Sequence, residues 1–340
     1  MATKQLSELW FPAAARQGRV ADPKLRVLCF HNAGSAESMY TQPYVKNRQR
    51  VPNELLAWAG VNQAEILAVQ LPGREARRGE AALRSCQSVA AALLPVVAPL
   101  VRNVPYAIVG HSVGTWNSFE LLCLMRGEGL PMPRHIFYSC FASPDITESA
   151  RPWTANAQLP TDGQFQHECR GWDVNEVVFS KDMWNMYKDL MRADFTCFDT
   201  YKFTHADEPP LGVPMTTFYA QRDKKITSQM VAGWEKFCGA SFEHLPIAGH
   251  HLFPYDPVAK ASWLQHIVAR LPACIHPPAH VSTAGVGHPL PPPTSGTVSE
   301  QEQRKFAVRW AFDIRGWLPS QKEWDFALSL LSQEEADRVR

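Results

Sequence analysis

A serine between glycines, an aspartate behind an apolar run and two adjacent histidines are the residues of this chain best suited to covalent chemistry. Ser112 lies in Gly110-His111-Ser112-Val113-Gly114, directly after the apolar run 104–109. A strand that breaks into G-x-S-x-G and then into helical sequence presents its serine on a strained turn, where side chains at 110 and 114 would collide with neighbouring chains. A serine hydroxyl is a poor nucleophile near neutral pH and needs a base that is itself oriented. In the order serine, acid, histidine, Asp223 follows the run 215–219, and Gly249-His250-His251 follows the run 242–245. Neighbouring residues on a tight loop point in different directions, and Gly249 frees the backbone before His250, so His250 is the expected base. Asp194 and Asp207 are rival acids, but both precede the strand that should carry one. The oxyanion of acyl transfer needs two preorganised N–H donors. Val113, at the start of the helix, supplies one; Ala33, in the loop 30–35 after an early strand, is expected to supply the other.

These residues converge only if strands deliver them to one sheet edge. Short apolar runs at 25–30, 65–69, 106–109, 135–140, 215–219 and 242–245 alternate with longer segments of helical periodicity. That rhythm predicts an α/β fold: a mostly parallel central sheet with helices on both faces. The stretch 145–210 breaks it with Trp153, Phe165, Trp172, Trp184, Phe195 and Phe198 among charges, and is expected to be a helical lid insertion over the edge where Ser112 emerges.

With 34 basic and 33 acidic residues the formal charge is +1, so no overall field favours nucleic acid or an anionic membrane. The apolar runs are too short to span a bilayer, and no apolar signal region opens the chain. Eight scattered cysteines without a C-x-x-C pair read as buried reduced thiols, which points to a cytoplasmic setting. His276 and His280 have H-x3-H spacing but no companion ligands, so no metal or cofactor is expected. The Pro-rich stretch 275–304 reads as a linker after a domain at 1–274. Beyond it, 305–340 starts a separate α+β tail too small for a core of its own, and is expected to continue past Arg340.

Taken together, Trp10-Phe11-Pro12, Phe30-His31-Asn32-Ala33-Gly34, Leu71-Pro72-Gly73-Arg74-Glu75, the elbow, Arg192-Ala193-Asp194-Phe195 and Gly249-His250 resemble the type II thioesterases of polyketide and non-ribosomal peptide synthesis. The resemblance implies an α/β-hydrolase that removes acyl groups from the phosphopantetheine arm of acyl or peptidyl carrier proteins, or from small acyl thioesters. Ser35 stands where that family commonly has glycine and His31 where it has proline; His251 fills a place usually held by an aromatic ring. A general carboxylesterase, a product-release thioesterase and a non-catalytic carrier-docking module are the alternatives. The tail, with Trp310, Trp317-Leu318-Pro319 and Trp324, resembles the beginning of a 4′-phosphopantetheinyl transferase, without the metal-binding carboxylates such an enzyme needs.

Overall fold

The computed structural model describes residues 2–46 and 49–276. Six parallel strands form the central sheet in the order β4-β1-β5-β6-β7-β8. They are β1 (Leu25–Phe30), β4 (Ala64–Ala68), β5 (Tyr106–His111), β6 (His135–Ser139), β7 (Met215–Ala220) and β8 (Phe242–Ile247). Strands β2 (Tyr44–Lys46) and β3 (Gln49–Val51) pair antiparallel as a separate hairpin that the apolar pattern did not announce. Each of the six expected runs is a sheet strand, with ends moved by up to two residues.

Alternation along the strands splits the core into two layers. On β1, Leu28 and Phe30 join the layer containing Trp116, Phe119 and the aromatics of the insertion, whereas Val27 and Cys29 join the layer with Trp263 and Ile267. Buried on both faces, β5 is apolar through Tyr106-Ala107-Ile108-Val109 with no polar alternation.

Between β6 and β7 the insertion folds into helices Asp162–Gly171 and Lys181–Asp199, with single 3-10 turns at Glu148–Ala150, Asn156–Gln158 and Glu176–Phe179. Thr161 opens the first helix with a reciprocal capping box to Gln164. The second buries Trp184, Met191, Phe195 and Phe198, spaced to share one face. All eight cysteines are buried free thiols, and burial pushes that of Cys123 up to about 12. Among the described residues no helix is long and apolar enough to cross a membrane. The expected linker and transferase-like tail, from residue 277 onward, lie outside the described residues.

Candidate active site

Ser112 occupies the turn between β5 and the helix Val113–Gly127, at φ 54° and ψ −134°. A non-glycine residue held there costs about 1–3 kcal/mol, so its surroundings must enforce it. They do so through backbone: Ser112 N–H donates to Ser139 O at 2.9 Å, on the neighbouring strand β6. A Cβ at Gly114 would stand 2.4 Å from Phe30 O, and one at Gly110 would stand 3.0 Å from Thr115 Cα. Close approach therefore requires glycine at 114 and leaves a side chain at 110 in tight contact with the helix start.

The histidine ring that reaches Ser112 is His251, not the expected His250. His251 Nε2 lies 2.9 Å from Ser112 Oγ, and His251 Nδ1 lies 2.7 Å from Asp223 Oδ2. With Asp223 ionised, Nδ1–H donates to the carboxylate, which leaves Nε2 to accept the serine proton. His250 instead turns outward: its side chain is 47% exposed, and Nδ1 sits 3.1 Å from Arg222 O. The physical reason lies in the turn after the strand. β8 runs to Ile247, and the turn after it is set by Gly249, at φ +146°, whose carbonyl accepts from Arg222 N–H at 2.9 Å; past this turn the ring at 251 faces Ser112 and the ring at 250 faces outward. Around His251 the rings of Trp172 and His111 close at 4.8 and 5.6 Å between centroids. The aromatic place at 251 had favoured His250 as the base; in the structure the ring at 251 is held in that aromatic setting and also reaches Ser112.

Asp223 follows β7 as expected. Its Oδ1 accepts the N–H groups of Lys225 and Ile226, each at 2.9 Å. Burial pushes this carboxyl up, but His251 and the two N–H donors outweigh it and hold Asp223 below the usual carboxylate range. The rival acids are elsewhere. Asp207 is exposed. Asp194 is buried in a bidentate pair with Arg74, at 2.7 and 2.9 Å.

That pair is the residue set sequence reasoning left without a structural role. Asp194 Oδ2 also accepts Gly34 N–H at 2.7 Å, and Arg74 Nη1 donates to Ser35 O at 2.8 Å. Tyr255 Oη donates to Ser35 Oγ at 2.6 Å. The loop carrying Ala33 is thus gripped on both sides by residues 40 to 220 positions away in sequence. Ser35 serves as a contact in this loop. His31 is buried beside it, and burial, with Arg74 adding, pushes its imidazole down to about 4, so it is neutral. A cavity of about 480 Å3 opens against this loop, lined by Gly34, Ser35, Met186, Leu190, Tyr255 and Lys260.

Cys123, His205 and Glu208 bring ligand-type atoms within 4.8 Å of one another. Ion pairing accounts for this group: His205 bridges Glu120 at 3.2 Å and Glu208 at 2.8 Å, and Arg126 pairs with Glu208.

A family model described as the thioesterase domain matches residues 25–269, well over half of the chain. The gramicidin S biosynthesis protein GrsT of Aneurinibacillus migulanus is 27% identical over 237 residues, 68% of this chain and 84% of GrsT. The medium-chain S-acyl fatty acid synthase thioesterase of Rattus norvegicus is 24% identical over 238 residues, 69% of this chain and 84% of that protein. The fold is that of RedJ, the thioesterase from the prodiginine pathway of Streptomyces coelicolor, at a TM-score of 0.61 and 24% identity over 74% of this chain and 87% of RedJ. YbtT, the type II thioesterase of the yersiniabactin pathway, aligns at a TM-score of 0.60 and 22% identity, covering 76% of this chain and 96% of YbtT. This chain accordingly belongs to the thioesterase family of α/β-hydrolases.

Proposed function

We propose that residues 1–274 are a serine thioesterase of the editing type, which removes acyl or peptidyl groups from the phosphopantetheine arm of a carrier protein. The observation that carries this reading is the continuous chain Ser112 Oγ, His251, Asp223, with hydrogen bonds of 2.9 and 2.7 Å. Ser112 Oγ attacks the thioester carbonyl as its proton passes to His251 Nε2, and Asp223 holds the imidazolium that forms. The N–H groups of Val113 and Ala33 receive the oxyanion. The tetrahedral intermediate expels the pantetheine thiolate, which takes the proton from Nε2. A thiol pKa of about 8.5 makes this departure easier than that of an alkoxide. Water then gives a proton to Nε2 as its oxygen attacks the acyl-serine; the second tetrahedral intermediate expels Ser112 Oγ, which takes that proton back from Nε2, and the free acid leaves.

The insertion is the lid in this reading, with Met186, Tyr187 and Leu190 lining the cavity beside the loop of Ala33. The likeness to GrsT and YbtT supports an editing role, and the eight buried thiols support a cytoplasmic setting. The resemblance of 305–340 to a phosphopantetheinyl transferase supports the same partner, the carrier's pantetheine arm. Similarity to the rat fatty acid synthase enzyme favours one second reading, release of finished acyl chains.

Mass spectrometry of a panel of acyl-carrier proteins tests the assignment. Loss of short, mis-primed acyl groups, abolished in Ser112→Ala, is the expected result. Preference for full-length chains shifts the reading to release, and equal kcat/KM for a p-nitrophenyl ester of matched length shifts it to a general esterase.

A further inference from the structure

We propose that Asp173, in the insertion, is a positioning residue for the histidine base; the inference rests on the reading of His251 as that base. Asp223 fixes the ring of His251, but the main chain that carries the ring is held separately. The His251 N–H donates to Asp173 Oδ2 at 3.2 Å. The other oxygen of the same carboxylate pairs with Lys224 Nζ at 2.6 Å, next to Asp223 in sequence. One side chain therefore ties the loop bearing the base to the loop bearing the acid. Trp172, its neighbour, sets its ring edge against His251.

The backbone at Asp173 is one that glycine would fill without strain, so the carboxylate is not needed to end the helix. The helix Asp162–Gly171 closes with Asp173 N–H donating to Arg170 O at 3.1 Å and Val174 N–H to Cys169 O at 3.3 Å. These two bonds are the helix-ending pattern whose left-handed position is normally glycine. Asp173 occupies that position at φ 60°. Aspartate tolerates the left-handed region better than most residues, but glycine would fill it without strain. The helix end is also pinned to the acid loop by Glu168 and Lys225 at 2.8 Å, and a Cβ at Gly171 would meet Lys225 Cε at 2.7 Å. Asp173 pairs with Lys224 and, at 3.9 Å, faces the ring of His250. The last turn of the first insertion helix is thus part of the triad's scaffold.

Asp173→Gly separates the two roles of the residue, because glycine preserves the helix end while removing the acceptor. With the full chain, the rate of Ser112 labelling by a fluorophosphonate should fall about 10- to 100-fold in Asp173→Gly, the scale expected of sub-ångström to 1 Å misplacement. The kcat for a synthetic acyl-pantetheine should fall in parallel while KM and the thermal unfolding midpoint stay at wild-type values. Asp173→Asn keeps an acceptor oxygen and left-handed tolerance, and should restore most of the rate. A wild-type rate in Asp173→Gly, or an Asn variant as slow as the Gly variant, overturns the proposal. Labelling that survives His251→Ala overturns the reading of the base, and this inference with it.

Discussion

The sheet edge and the insertion above it are built by different means. At the sheet edge the parts are held by backbone: Ser112 N–H on Ser139 O, Gly114 against Phe30 O, Arg222 N–H on Gly249 O. The insertion is joined to that edge by side-chain pairs, Arg74 with Asp194, Lys225 with Glu168 and Lys224 with Asp173. Backbone constraints leave short local signatures in a sequence. Pairs between distant side chains leave residue types whose purpose appears only when the chain has folded.

The histidine loop breaks or sharpens this contrast most directly, because both means meet there. His251→Ala removes the proposed base and should lower kcat/KM on an acyl-pantetheine about 10^4-fold or more, as loss of a triad member does elsewhere. His250→Ala, at an exposed position outside the triad, should change it by no more than a factor of about two, the size of an ordinary surface substitution. Steady-state kinetics on both variants decides, and the opposite pattern would place the base at 250.

Next in size is the buried pair beneath the loop that carries Ala33. Arg74 and Asp194 have side chains only 3% and 4% exposed, so Asp194→Ala strands an unpaired guanidinium and should cost about 3–5 kcal/mol of stability. The exposed pair of Arg170 and Glu176 within the insertion should contribute about 0–1 kcal/mol. Urea unfolding of Asp194→Ala and Glu176→Ala measures both; equal losses would mean that the insertion is not anchored through Arg74.

The same contrast decides what could be read from sequence. The central strand β5 was legible because a doubly covered parallel strand is a continuous apolar run, and the elbow was legible because Gly114 has no room for a side chain. Asp223 was found by its place after β7. The histidine was missed by one residue because the direction in which each ring leaves the loop is set by the turn after β8, closed by Arg222 N–H on Gly249 O, and two adjacent histidines carry no sequence mark of that turn. The hairpin β2–β3 was missed because three-residue strands carry too few positions to show alternation. Asp194 was seen as a rival acid, whereas its true partner, Arg74, lies 120 positions away. Asp173 gave no signal, since a polar residue after a helix is ordinary until its φ is known.

The smallest expected effect compares two carboxylates, one in each region. Asp223 is held below the usual range by His251 and backbone donors against the push of burial, so its contribution to stability is present above its unfolded value and lost as pH falls through the folded one. Asp199 ends the long insertion helix and behaves oppositely. Burial is its largest influence and raises it from 3.8 to about 6, against hydrogen bonds from Asn156 N–H at 2.7 Å and Asn156 Nδ2 at 3.2 Å. The folded chain therefore keeps a proton that the unfolded chain has released between those two values. Its stabilising contribution is complete below the unfolded value and lost as pH rises through about 6. Asp199→Asn removes the titration while keeping an acceptor oxygen. The unfolding midpoint of the wild type, measured relative to this variant, should rise by about 2–4 °C as pH is lowered from about 7 to about 5. A difference that stays flat with pH would show that Asp199 is ionised in the folded insertion, and the two regions would then treat their buried carboxylates alike.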